Sequence, residues 1–257
     1  MKLEEYIPTE LLKPFIKTYR IIESEGEMTN RVLPSTSLAI AFRYKGQVSY
    51  KSDNTQDFLP TSTISGLRKS VRLINYRKDT ATIIVLFNET GAKAFFEGPL
   101  YELFEKSISL DIFIKQHKLA IIEEQLAEAK NNIQRISIVE QFLLSKLCNY
   151  EPDKLISIAV DKIRSVNGAI KINELANTLY ISNDVFEKRF RKAVGTSPKQ
   201  FSSILRMEAI TKQKQKTENF ADIAFNAGYY DQPHFNKDFK LFTGLTPKDF
   251  FKTSSFW

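Results

Sequence analysis

Cysteine and histidine are nearly absent. Cys148 stands alone, and His117 and His234 are the only histidines. One cysteine excludes an intramolecular disulfide, and so small a Cys/His set argues against a zinc site, so neither a metal nor a cofactor is expected. Long apolar runs are missing as well. Nothing approaches the roughly 20 residues that span a bilayer, and the opening MKLEEYIPTE places acidic residues where a secretory leader carries basic and apolar ones. A cytoplasmic protein with no membrane partner is expected. Cys148 follows Leu143, Leu144 and Leu147 on the apolar face of an expected helix. A small buried hydrophobe is its reading there, because a nucleophile needs a neighbouring base and none is near in sequence.

The positive charge is unevenly placed. Residues 154–257 hold 17 Lys+Arg against 10 Asp+Glu, whereas residues 1–153 hold 20 of each, so the whole excess of +7 lies in the second part. Such a concentration suits neutralisation of phosphates.

From Phe15 to about Phe87 the pattern is that of strands. Thr18 to Ile22, Ser37 to Tyr44, Gln47 to Tyr50, Val71 to Tyr76 and Ala81 to Phe87 are rich in β-branched and aromatic residues. Turn residues separate them at Lys45-Gly46, Ser52 to Asn54 and Lys78-Asp79. A small antiparallel β-barrel or sandwich follows. Phe42, Tyr44, Tyr50 and Phe87 either fill its interior or line a ligand pocket at its mouth. Short helices are expected at Thr90 to Phe96 and Leu100 to Phe104, broken by Gly98-Pro99. Two longer amphipathic ones carry Leu119, Ile122, Leu126 and Ala129, then Ile133, Ile136, Phe142, Leu143 and Leu147. These helices pack on the barrel, and one is a candidate for pairing in a homodimer.

Tyr150 to Asp153, containing Pro152, is a short polar joint, which predicts a regulatory domain over 1–152 and an all-α domain over 153–257. The second domain contains one unit twice. Phe186, Lys188, Phe190, Arg191, Gly195, Ser197, Pro198, Lys199 and Phe201 recur 49 residues later as Phe235, Lys237, Phe239, Lys240, Gly244, Thr246, Pro247, Lys248 and Phe250. Each copy reads as two short helices joined by a tight turn, a helix-turn-helix, over about 172–195 and 220–244. Ser182 and Asp231 are the expected N-caps of the second helices, and Asn219 with Asp222 opens the second copy. Between the copies, Ser197-Pro198 starts a linker helix of about 17 residues that ends at Lys212, Lys214 and Lys216. At 1.5 Å per residue it spans roughly 25 Å, so two reading helices could approach one turn of DNA, about 34 Å.

In such units the first helix props the second, whose exposed amino-terminal part enters the major groove. Phenylalanines four apart face inward. That leaves Ser182, Asp184, Glu187, Lys188 and Arg191 in the first copy, and Gln232, Pro233, Asn236, Lys237 and Lys240 in the second, as candidate DNA contacts. Lys, Asn and Gln suit guanine and adenine edges, a carboxylate can accept from cytosine N4, and cations near the helix ends suit phosphate.

These residues also carry a resemblance. Ala224 to Lys240, AFNAGYYDQPHFNKDFK, with Gly244, Thr246 and Pro247, resembles the signature of the AraC/XylS family of bacterial transcriptional regulators. Leu175-Ala176, Ser182, Phe186, Phe190-Arg191, Gly195 and Ser197-Pro198 are similar to that family's other helix-turn-helix. The resemblance implies seven helices, a linker helix, sequence-specific binding of double-stranded operator DNA, and contact with RNA polymerase. Tyr180 departs from it, standing where the family often has glycine, and His234 matches a position where histidine is frequent. Arg31 to Gly46 and Leu86 to Leu110 loosely resemble the small-barrel amino-terminal domains of some of these regulators, which implies a small-molecule effector or dimerisation. Two other functions compete: a non-specific architectural DNA binder, and a repair alkyltransferase using Cys148.

Overall fold

The computed structural model describes residues 1–51, 56–148, 150–212 and 220–252. The turn expected at Ser52 to Asn54, the lysines Lys214 and Lys216, and the cap expected at Asn219 lie outside the described residues.

The first part is an antiparallel sandwich followed by helices, as expected. Its strands are β1 (Lys2–Tyr6), β2 (Ile16–Ser24), β3 (Met28–Val32), β4 (Ala39–Lys45), β5 (Val48–Lys51), β6 (Gln56–Phe58), β7 (Ser62–Ser65), β8 (Arg72–Tyr76), β9 (Thr80–Phe87) and β10 (Ser107–Ser109). They form a six-stranded sheet in the order β1-β2-β9-β4-β7-β10 and a four-stranded sheet in the order β3-β8-β5-β6. Two positive-φ turns carry the chain between the sheets, Gly46 from β4 to β5 at φ 71° and Asp79 from β8 to β9 at φ 57°. Gly46 is obligatory, since a Cβ there would lie 2.5 Å from Thr80 Oγ1.

The two faces of the larger sheet are unequal. Ile22 and Ile84 join Val48 and Tyr76 in a small cluster between the sheets. The opposite face carries Tyr19, Ile21, Ile40, Phe42, Ile83, Val85 and Phe87, all at 1% exposure or less. That face is covered by single-turn helices at Gly91–Ala94 and Leu100–Leu103 and by α1 (Gln116–Glu128) and α2 (Asn132–Lys146). Phe42 meets Phe142 of α2 edge to face at 5.9 Å, and Phe87 touches Phe95 and Phe96 at 5.6 and 6.2 Å. The main core therefore lies under the helices, and period-2 alternation sends the largest side chains there.

Two expectations are corrected. Cys148 is exposed, because α2 ends at Lys146 and the cysteine lies beyond it. Ile133, placed on the apolar stripe of α2 by its spacing, is 75% exposed in the first turn, next to the Asn131 cap that accepts from Gln134 N.

The second part is all helix: α3 (Lys154–Ser165), α4 (Ile172–Thr178), α5 (Asn183–Val194), α6 (Pro198–Lys212), α7 (Phe220–Asn226), α8 (Gln232–Thr243) and α9 (Pro247–Lys252). These are seven helices among the described residues. Asp153 caps α3 through Leu155 N and Ile156 N, and its carboxylate also takes two hydrogen bonds from Arg189 of α5 at 2.6 and 2.8 Å. The Arg189 guanidinium holds the Asp153 carboxyl below its ordinary value. Serine or threonine before proline starts a helix in both copies: Ser197 Oγ accepts from Gln200 N, and Thr246 Oγ1 accepts from Asp249 N.

Phe190→Ala should lower unfolding stability by about 3–5 kcal/mol, because the ring is fully buried between Phe186 and Phe201. Cys148→Ser should stay within about 0.5 kcal/mol of the parent, as its exposure dictates. Urea unfolding of both variants checks the pair, and a large loss for the serine variant would contradict the exposed placement.

Candidate nucleic-acid interface

Each copy is a helix-turn-helix, α4 with α5 and α7 with α8. The leading helices are short and pack through Leu175-Ala176 and Ile223-Ala224, all buried. The reading helices are capped at both ends. Ser182 Oγ accepts from Val185 N and Asp231 Oδ1 accepts from His234 N, while Gly195 and Gly244 close the far ends at φ 88° and 78°. Only glycine reaches that conformation without strain.

The phenylalanine pairs set the rotation of each reading helix. Phe186, Phe190, Phe235 and Phe239 are all at 0% exposure. The candidate contacts named from the sequence, Ser182, Asp184, Glu187, Lys188 and Arg191 in one copy and Gln232, Pro233, Asn236, Lys237 and Lys240 in the other, are all exposed. Spacing within the helix brings each set onto one surface.

The two surfaces differ in charge. On α5, Arg191 donates twice to Glu187 Oε1 at 2.7 and 2.9 Å, one turn away. This i,i+4 pair spends one of the few cations of that face on its own carboxylate. On α8, neither Lys237 nor Lys240 is in an ion pair among the described residues. His234 lies 3.7 Å from Asp238, which also accepts from Tyr229. His234 is thus tied into the helix surface, and no metal-binding group of three or more His, Cys, Asp or Glu occurs among the described residues.

The first part of the chain holds the far end of both reading helices. In the last turn of α8, the carbonyl of Thr243 accepts from Arg31 Nη1 at 3.1 Å, and that of Leu241 accepts from Val71 N at 3.2 Å. A Cβ on Gly244 would sit 3.1 Å from Val71 Cγ1, and one on Gly195 would sit 3.4 Å from the Leu100 carbonyl. The Leu241 and Thr243 carbonyls form the negative end of α8, which favours a guanidinium there. Arg164 of α3 adds a 2.6 Å ion pair to Glu89, whose side chain is 9% exposed.

A cleft of about 730 Å³ opens between the parts, lined by Lys93, Phe96, Tyr150, Asp153, Arg189 and Lys192 among others. Burial and the nearby Lys192 charge both lower the Lys93 pKa. None of the four aromatic residues considered for a ligand pocket lines this cleft. Phe42 and Phe87 are in the packed core under the helices. Tyr44 donates to Glu23 and lies under Arg135, 4.3 Å from its guanidinium carbon. Tyr50 donates to Ser107 and accepts from Arg72, so its phenol bridges the two sheets. The inter-part contacts and the cleft were missed from sequence, since nothing local marks them.

Two helix-turn-helix units on one chain, each with a polar face turned outward, define a DNA-binding protein. Residues 175–253 match the family described as helix-turn-helix domain, and residues 4–109 match a domain of unknown function, DUF6597. The chain is 29% identical over 100 residues to the uncharacterized transcriptional regulatory protein YesN of Bacillus subtilis, covering 38% of this chain and 27% of that one. It is 26% identical over 125 residues to the Msm operon regulatory protein of Streptococcus mutans, covering 45% and 43%. The chain thus spans less than half the length of either relative. Among solved structures, ToxT of Vibrio cholerae is similar at a TM-score of 0.48 and 8% identity, over 99% of this chain and 100% of that one. Its carboxy-terminal part is thus a helix-turn-helix domain similar to those of AraC-type transcriptional regulators.

Arg31→Ala should free the last turn of α8. Hydrogen exchange should rise at residues 240–244 and stay at the parent rate in α5, because α5 is held at Leu100 instead. Equal exchange in the variant and the parent would mean that the guanidinium does not fasten this helix.

Proposed function

We propose that the chain binds a specific double-stranded DNA sequence with both units and regulates transcription from it in the bacterial cytoplasm. In this reading residues 153–257 are the DNA-binding domain and residues 1–152 a regulatory one. The observation that carries the reading is the pair of capped reading helices whose amino-terminal halves are exposed while their far ends are held. The charge excess of residues 154–257 supports it.

Gln232, Asn236 and Lys237 are assigned to base edges of the second major-groove segment, with Pro233 packing against them. Lys188 reads guanine in the first, where Asp184 or Glu187 can accept from cytosine N4. Arg191 and Lys240, deeper along their helices, and Ser182, at the turn, are assigned to phosphate. A small-molecule effector seated in the cleft would touch Lys93 and Phe96 of one part and Arg189 and Lys192 of α5 together. Its binding would therefore bias how the first unit is held. Contact with RNA polymerase and a homodimer through α1 or α2 complete the proposal.

A duplex selected from random sequence on the purified chain should compete at least roughly 10³-fold better than random duplex at fixed salt. Equal competition would leave only non-specific architectural binding. Lys237→Ala should weaken the selected duplex and change base preference at one position. Lys212→Ala, at the end of α6, should weaken all duplexes alike and lower the salt slope by about 1. The same loss on every duplex for both variants would contradict the assignment of Lys237 to a base.

A further inference from the structure

Each turn holds out a tyrosine for which the fold has no use. Tyr180 and Tyr230 are both 98% exposed. Among the described residues neither ring has a stacking partner and neither phenol a hydrogen-bond partner. Tyr180 also sits at φ 54°, a conformation in which an L side chain is strained.

The two tyrosines arrive there by different routes. In the first turn Tyr180 N donates to Asn177 O and Ile181 N to Ala176 O. In the second, Gly228 N donates to Phe225 O and Tyr229 N to Ala224 O. The left-handed residue that ends the leading helix is therefore Tyr180 in one copy and Gly228, at φ 76°, in the other. These positions are 48 apart, whereas the caps Ser182 and Asp231 are 49 apart, so the second turn is one residue longer. The additional residue is Tyr230. Its neighbour Tyr229, which simple offset pairs with Tyr180, is 7% exposed and packs on Phe235.

A strained aromatic with no contact in one turn, and an inserted aromatic with no contact in the other, point to something outside the chain. Both immediately precede the exposed amino-terminal part of a reading helix. When that part enters a groove, the turn before it faces the phosphates that border the groove. We propose that Tyr180 and Tyr230 are positioning contacts to the DNA backbone, each phenol donating to a phosphate oxygen beside its groove. The inference rests on the DNA-binding reading above. An uncharged donor releases no counterion, so these contacts strengthen binding without adding to its salt dependence, unlike the lysines.

The strain at Tyr180 separates binding from stability. Tyr180→Gly should raise the melting temperature, because glycine is at ease at positive φ. The same variant should bind both the selected and a random duplex roughly 10- to 150-fold more weakly, as expected for a lost hydrogen bond to a charged group. Tyr180→Phe and Tyr230→Phe should reproduce most of the loss at unchanged melting temperature, and salt slopes should match the parent. Affinities within twofold of the parent for Tyr180→Gly and Tyr230→Ala would overturn the proposal. So would unchanged duplex affinity with lowered transcription by added polymerase, which would assign the rings to a protein partner. If the parent binds no duplex at all, the DNA-binding reading fails and this inference with it, whereas a binding parent with indifferent tyrosine variants rejects the inference alone.

Discussion

The burial of one phenylalanine pair in each reading helix constrains everything else at the interface. Phe186 and Phe190 meet at 5.7 Å, and Phe190 meets Phe201 of the following helix at 5.4 Å. In the second copy Phe235 and Phe239 meet at 5.5 Å, and Phe239 meets Phe250 at 5.3 Å. The same three-ring wedge is built twice from rings at 5% exposure or less. A ring four residues from another fixes the azimuth of the helix, so the residues turned outward follow without further specification. Glycine at Gly195 and Gly244 then ends each helix sharply enough for Phe201 and Phe250 to come back onto it.

The wedges orient each unit, but they do not fix one unit against the other. That task falls to α6 and to the first part of the chain. The described helix is 15 residues long, about 22 Å at 1.5 Å per residue. The sandwich side adds a backbone hydrogen bond and a guanidinium at the end of α8, and close backbone packing at the end of α5. Both attachments grip the carboxy-terminal ends, away from the exposed halves. A change in the first part could therefore alter the spacing of the units without touching the outward-facing residues of α5 and α8, which is what a regulatory role for that part would require.

How much of this was legible in the sequence depended on the distance over which each feature is encoded. Helix caps, the phenylalanine pairs and the paired glycines are local, and the residues alone place α5 and α8 to within a residue. Strands rich in β-branched and aromatic residues, such as β2 and β9, were also recognisable, although β2 extends two residues beyond Thr18 to Ile22 at each end. The short or polar strands were not: β1 reads KLEEY and β6 reads QDF, and they exist because a neighbouring strand offers its edge. The face on which Phe42 and Phe87 sit could not be read either, since alternation marks two faces without saying which one the helices cover. Cys148 was misplaced because the apolar spacing runs past the point where α2 stops. Tyr180 stood out in the sequence only as a departure from glycine, and Tyr230 did not stand out at all. Offset alignment pairs Tyr180 with the buried Tyr229 and conceals the inserted residue.

That insertion bears on the unequal chemistry of the two units. On α5 the acidic Asp184 and Glu187 stand on the outward face, and Glu187 already occupies Arg191. For Arg191 to reach a phosphate it must leave an ion pair, though an exposed one of this type costs little to break. On α8 the outward lysines have no such partner among the described residues, and the longer turn carries its tyrosine with glycine absorbing the positive φ. The second unit can thus place its donors without internal competition, while the first pays backbone strain to project Tyr180. If both bind DNA, the second is the better reader of bases. The first adjoins the cleft through Arg189 and Lys192, so it is the unit whose engagement a change in the first part of the chain would most readily alter.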